Sequence, residues 1–275
     1  MIKKFADDTK CYMVVENEQD RIRFQTMLHN LENWSTEWQM LFNMDKCHVI
    51  HAGKQNPQFG YMWGGGELVV TEVEKDVGVM VTSNLKPSLQ CATAAKKANM
   101  VLGQLARGVT YRDRITFIRL YQVFVLPHLS YAVQAWAPYN KADKEILEKV
   151  QKRAVMMVTN IRGSYEERLA ILKMRTLEDR RVRGDLIETY KILSGKSNVD
   201  PQTWFTFASD NEAAARTRST TGHLNLVQPP IPKTDLRKYF YSNRVVSPWN
   251  QLPDHVKMAQ KTDGFKSAFD LYSGY

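Results

Sequence analysis

The chain has 275 residues, 43% hydrophobic and 24% charged, a composition that suits a globular fold large enough to bury a core. No apolar run approaches the roughly 18 residues of a membrane span and no basic-then-apolar leader opens the chain, so it reads as intracellular with no membrane partner. Cys11, Cys47 and Cys91 form no CxxC pair, which excludes a disulfide framework or a zinc knuckle and leaves them as small buried hydrophobes.

The net charge of +9 is unevenly placed. Residues 1–85 carry 8 basic and 12 acidic side chains, residues 86–195 carry 20 and 10, and residues 196–275 carry 10 and 7. The basic excess sits in the middle of the chain. Such a concentration points to a polyanionic partner, and a solvated basic surface gives the same composition.

In chain order, "KKFADDTKCYMVV" sets Asp7 and Asp8 between strand-forming residues. This suits the tight turn of a β-hairpin. Such a tip can also hold a carboxylate for Mg²⁺, a hard cation that takes oxygen ligands. Ile22, Met27, Leu28, Leu31, Trp34, Trp38 and Leu41 recur at threes and fours, which predicts a helix over about 17–42 with both tryptophans in the core. "DKCHVIHAG" reads as a strand, "FGYMWGGGELVV" as a hairpin around Gly64–Gly66, and "DVGVMV" as a strand with Gly78 inside it.

From residue 86 the pattern turns helical. A helix over 87–107 starts at Pro87 and stops before Gly108. At 100° per residue, Lys96, Arg107, Met100, Thr93, Gln104 and Lys97 share one arc, while Ala94, Ala95, Ala98, Val101, Leu102 and Leu105 share the opposite one. No acid occurs on this helix. Solvated helix faces normally mix signs, so an all-basic polar arc suits a phosphate backbone. Helices follow near 112–136, interrupted at Pro127, and near 141–158 with Ile146, Leu147, Val150, Ala154, Met157 and Val158 inward. Ser164–Glu167 is a capping box, and Thr176–Asp179 a close variant that starts a helix running to Gly195. Its Arg180, Arg181 and Arg183 read as a solvated, partly salt-bridged patch. Residues 196–246, with Pro201, Pro229, Pro230 and Pro232, read as a connector with short strands or turns. "SPWNQLPDHV" and "DGFKSAFDLY" close the chain as short helices docked by Trp249, Leu252, Val256, Phe265, Phe269 and Leu271.

The ordered series "KFADDTK", "W…WQMLFNMDKCHVIHAG", "EKDVGVMVTSNL", "CATAAKKANMVLGQL", "LYQVFVLPHLSYAVQAWAP", "LEKVQKRA", "SYEERL", "LEDRRVRGDLIETYKIL" and "WNQLPDHV" resembles the C-terminal half of reverse transcriptases from non-LTR, LINE-like retrotransposons of the chicken-repeat and Jockey type. The resemblance spans nearly the whole chain. It implies that Asp7 is a ligand of catalytic Mg²⁺ assisted by Asp8, that Lys46 approaches the triphosphate as a general acid, and that Gly78 lies in a primer-grip hairpin. It also implies that Lys96, Lys97, Gln104 and Arg107 grip an RNA template–DNA primer duplex from the thumb.

The expected fold is therefore α+β. A C-terminal part of a polymerase palm spans 1–85, a helical thumb and connection 86–195, and a loop-rich C-terminal extension 196–275. The resemblance further implies that a palm aspartate and the fingers lie upstream of Met1, supplied in cis or in trans, and that Mg²⁺ is held only when both parts assemble. On that reading the chain is an RNA-directed DNA polymerase fragment, inactive alone. A non-catalytic nucleic-acid-binding module and a translated relic are the alternatives.

Overall fold

A computed structural model describes residues 1–207, 225–227 and 229–274. The chain is α+β and divides into two compact units, Met1–Lys86 and Pro87–Tyr275.

The first unit pairs short strands around one helix. Strands β1 (Ile2–Phe5) and β2 (Asp8–Cys11) form an antiparallel hairpin, and α1 follows at Glu18–Glu37, capped by the Asn17 side chain, which accepts from the Asp20 N–H. Strand β3 (His48–Val49) runs parallel to β6 (Val69–Val70). Strands β4 (Met62–Trp63) and β5 (Gly66–Glu67) form a hairpin, as do β7 (Val73–Asp76) and β8 (Val79–Thr82). The core is small: Leu28, Tyr61, Trp63 and Leu68 are buried, with Phe24, Leu31, Phe42 and Phe59 packed against them. Edge-to-face contacts order these rings, Phe24 on Tyr61 at 4.9 Å and Phe42 on Trp63 at 5.4 Å between centroids. Gln25 stands in for a neighbouring strand, since its Nε2 donates to the Met62 carbonyl at 2.7 Å and its Oε1 accepts from the Met62 N–H at 2.8 Å.

Several expectations fail in this unit for local reasons. The helix stops at Glu37, and Gln39, at φ +55°, turns the chain away. Trp38 and Leu41 therefore leave the helical phase and are exposed, at 62% and 78%. The strand expected over 45–53 shrinks to His48–Val49, because Asn43 caps a 3-10 turn at Met44–Lys46. Gly78 is not inside a strand. Asp76 pairs with Val79, so Val77 and Gly78 form the two-residue turn between β7 and β8, both at positive φ.

The second unit begins with α2 (Ser88–Gly108). Its Ala94, Ala95, Ala98 and Leu102 are buried, and this small-residue face lets α6 (Lys141–Met156) pack closely against it. Between them run α3 (Thr116–Leu120), a π-helical turn at Tyr121–Val125, α4 (Leu126–Ser130) and α5 (Val133–Trp136). Pro127 explains the π turn: it lacks an N–H and its ring would strike the carbonyl of Val123, four residues earlier, so the coil widens before it. In α6 the buried stripe is Leu147, Val150, Ala154 and Val155. Ile146, 100° away from Leu147, is 38% exposed rather than inward.

Helix α7 (Tyr165–Leu172) opens on the Ser164–Glu167 capping box, and α8 (Leu177–Leu193) on Thr176, which accepts from the Asp179 N–H. The short helices α9 (Pro201–Trp204), α10 (Asp235–Lys238), α11 (Tyr241–Arg244), α12 (Val246–Asn250) and α13 (Asp254–Lys257) lead to α14 (Thr262–Tyr272). Leu186, Tyr190 and Ile192 of α8 share one core with Tyr241, Trp249, Val256, Phe265 and Phe269. The composition change near 195 thus falls inside a unit rather than between domains. Part of the connector expected over 196–246 lies outside the described residues; the rest holds the turns and a bridge between Phe207 and Leu226, together with short helices at Pro201–Trp204, Asp235–Lys238 and Tyr241–Arg244 that were not expected. Leu271 does not dock: the inward stripe of α14 is Phe265 and Phe269, and Leu271, two residues further on, points away at 80% exposure.

The arginine patch is only partly solvated. Arg181 is buried, and its terminal nitrogens have no hydrogen-bond partner among the described residues, while Arg183 and Arg175 both hold Asp270 of α14.

Candidate nucleic-acid interface

The hairpin tip that carries Asp7 and Asp8 follows from strand pairing. Phe5 pairs with Asp8, so Ala6 and Asp7 make the turn and Asp8 is the first residue of β2. Ala6 takes φ +52°, the left-handed region that costs a β-carbon about 1–2 kcal/mol. Both aspartates are exposed. The hairpin is tied to the second one away from its tip, because Lys10 of β2, paired with Lys3 near the open end, forms an ion pair with Asp76, the residue before the Val77–Gly78 turn. The structure therefore brings the Asp7–Asp8 hairpin and the Gly78 hairpin together. Lys46 lies in the exposed 3-10 turn, and no hydrogen bond or ion pair joins it to either aspartate.

The donor set bears on Mg²⁺. Asp7 and Asp8 are oxygen donors of the right kind, but among the described residues no group of three or more His, Cys, Asp or Glu side chains stands together. A two-metal phosphoryl-transfer site needs more carboxylates than this pair provides. The residues present do not by themselves fit the metal.

The α2 face is different in kind. Thr93, Lys96, Lys97, Met100, Gln104 and Arg107 are all exposed, and the alanine face opposite is buried. Lys96 and Arg107 are eleven residues apart, about 16 Å along the axis, so the cations form a stripe rather than a point. The charge of Lys97 reaches α4, where burial first and Lys97 second hold the His128 imidazole below its usual value. Arg112 fixes the far end of the helix by donating to the carbonyls of Ala106 at 2.6 Å and Val109 at 3.2 Å. Five donors on each guanidinium and three on each ammonium, held over one rigid helix and facing solvent, can neutralise successive phosphates.

Reasoning from sequence missed the pairing of Asp270 with Arg175 and Arg183, which turns one side of the Arg180–Arg183 cluster into a cleft wall. The run of arginines was visible, but a carboxylate 87 residues from Arg183 gave no local signal.

Comparison with known proteins adds one relative. An uncharacterized protein of Caenorhabditis elegans is 25% identical over 134 residues, which is 47% of this chain and 68% of that protein. No protein-family profile matches the chain. No solved structure matches it either. Among the described residues, no helix is long and apolar enough to cross a membrane.

Proposed function

We propose that this chain is part of an RNA-directed DNA polymerase of a non-LTR retrotransposon and that its own contribution is to grip an RNA–DNA duplex. The observation that supports this reading best is the acid-free, exposed cationic arc of α2. On this reading the first unit is the end of a palm and α2 belongs to the thumb. Lys96, Lys97 and Arg107 contact phosphates, and Gln104 donates a hydrogen bond to the backbone. Asp7 and Asp8 supply part of a Mg²⁺ site that a further carboxylate, in cis or in trans, completes. Lys46 faces the triphosphate, and Gly78 keeps a turn free of side chain where the primer passes.

The test is RNA–DNA duplex binding as a function of salt, for the wild type and for Lys96→Ala, Lys97→Ala and Arg107→Ala combined. Each lost phosphate contact flattens the slope of log affinity against log salt by somewhat under about one unit, so three should remove about two to three units. Across a fourfold range of salt, the ratio of wild-type to variant affinity then changes by roughly 30-fold. Unchanged affinity and slope would show that the face is merely solvated. Template-directed nucleotide incorporation by this chain alone, above that of Asp7→Ala, would overturn the division of labour between grip and chemistry.

A further inference from the structure

On a different surface of the second unit, a cleft of about 250 Å³ is lined by Lys173, Arg175, Arg180, Arg183, Gln122, Gln151 and Asp270 among others. Four cationic side chains thus meet one carboxylate. Asp270 is engaged by the Nε and Nη2 of Arg183, at 2.6 and 2.7 Å, and by the Nη2 of Arg175, at 2.6 Å. The other two cations are left over: the side chains of Lys173 and Arg180 have no hydrogen-bond or ion-pair partner among the described residues. Arg180 is exposed at the cleft mouth, and partial desolvation first, then the charges of Arg183 and Arg175 against the opposing Tyr121, hold its guanidinium below the usual value.

Lys173 makes the arrangement harder to explain as chance. It sits just past the end of α7 at φ +51°, a position where glycine is the ordinary residue and a side chain costs about 1 kcal/mol. The strain places an ammonium at the cleft. The floor is set by Gln151, which is buried and locked by donating to the Tyr165 hydroxyl and the Arg175 carbonyl, both at 2.9 Å, while accepting from the Tyr121 hydroxyl at 3.1 Å. The floor and the Arg175–Arg183 wall are therefore pre-organised, and the exposed Lys173 and Arg180 add two cations without a carboxylate partner among the described residues.

We propose that this cleft binds a phosphate group. The volume falls below the roughly 300–1,000 Å³ of pockets that enclose a drug-sized molecule, so the cleft suits an anionic group with the rest of its carrier outside. Guanidinium forks suit phosphate oxygens bidentately. The phosphate can arrive at the 5′ end of a nucleic-acid strand or as a free oligophosphate. The inference does not rest on the duplex grip assigned to α2.

The test uses the full chain with inorganic pyrophosphate in titration calorimetry, and the variants Arg180→Gln and Lys173→Gly. Each should lower pyrophosphate affinity about tenfold, the loss expected for one charge-assisted contact. Lys173→Gly also relieves the strained backbone, so its melting temperature should rise while binding falls, a combination that damage to the fold cannot produce. The combined Lys96, Lys97 and Arg107 variant should bind pyrophosphate as the wild type does, which separates this cleft from the α2 face. A second arm compares one oligonucleotide with a 5′-phosphate and with a 5′-hydroxyl. Preference for the phosphorylated end, lost in Arg180→Gln, assigns the source to a strand terminus, and no preference assigns it to a free oligophosphate. If pyrophosphate does not bind, or binds both cleft variants as it binds the wild type, the proposal is overturned.

Discussion

Asp270→Asn tests how the C-terminal helix is held. The carboxylate accepts three charge-assisted hydrogen bonds, two from Arg183 and one from Arg175, and so fastens α14 to α8 and to the segment before it. Exposed ion pairs contribute about 0–1 kcal/mol, and breaking a buried pair costs about 3–5 kcal/mol. The side chains here are 11% (Arg175), 25% (Arg183) and 31% (Asp270) exposed, which places the cost between those limits, at about 2–3 kcal/mol. With a urea slope of about 2 kcal/mol per molar, the midpoint should fall by about 1–1.5 M. The pH dependence gives an independent check. Hydrogen bonding from Arg183 holds the Asp270 carboxyl below its ordinary value of 3.8, against the opposing effect of burial. A depressed carboxyl contributes stability that is present above the unfolded value and lost as pH falls through the folded one. The deficit of the variant should therefore be full near about pH 7 and smaller at about pH 3, below the ordinary value of 3.8, where the unfolded wild-type chain takes up a proton that the folded carboxyl resists and the linkage is being lost. Urea unfolding of both proteins, followed by circular dichroism at the two pH values, measures it. A deficit under about 0.5 kcal/mol at neutral pH, or one as large in acid as at neutrality, would refute the reasoning.

Three further outcomes follow from single features. Val77 is a β-branched residue at φ +44° in a two-residue turn followed by glycine, and Asn-Gly is the favoured sequence there; Val77→Asn should stabilise the chain by about 1 kcal/mol, and a lower thermal midpoint would contradict it. Phe5, Trp38 and Leu41 are 65%, 62% and 78% exposed in the first unit, so a fragment starting at Pro87 should stay monomeric by light scattering at concentrations where the full chain self-associates; aggregation of the fragment alone would show that the unit boundary is wrong. Burial pushes the Cys91 thiol up to about 12, so it should react with a thiol reagent at neutral pH only on unfolding, after the partly exposed Cys11 and Cys47; early labelling at Cys91, mapped by mass spectrometry, is the opposing result.

The amino-acid sequence by itself determined those features whose causes are local. The period and the Pro87 start signal placed α2, which runs from Ser88 and, one residue further than the glycine signal implied, through Gly108 to a cap at Val109. The Ser164 and Thr176 caps were legible because each joins a side chain to an N–H three residues on. The break near Pro127 was legible because proline removes a donor wherever it stands. The acid-free face of α2 was visible for the same reason, being one helix read at 100° per residue. Tertiary structure decided the rest. Whether Trp38 and Leu41 are buried depended on where Gln39 turns the chain, and Gly78 became a turn residue only through the pairing of Asp76 with Val79. The fate of the arginines on either side of Thr176 was decided over still longer distances. Arg183 and Arg175 found Asp270, Arg181 was buried, and Arg180 was left facing a cleft. Side-chain type fixes what each group can bond, but its partner is set by whichever segments the fold brings within about 3 Å, and a linear pattern does not carry that distance.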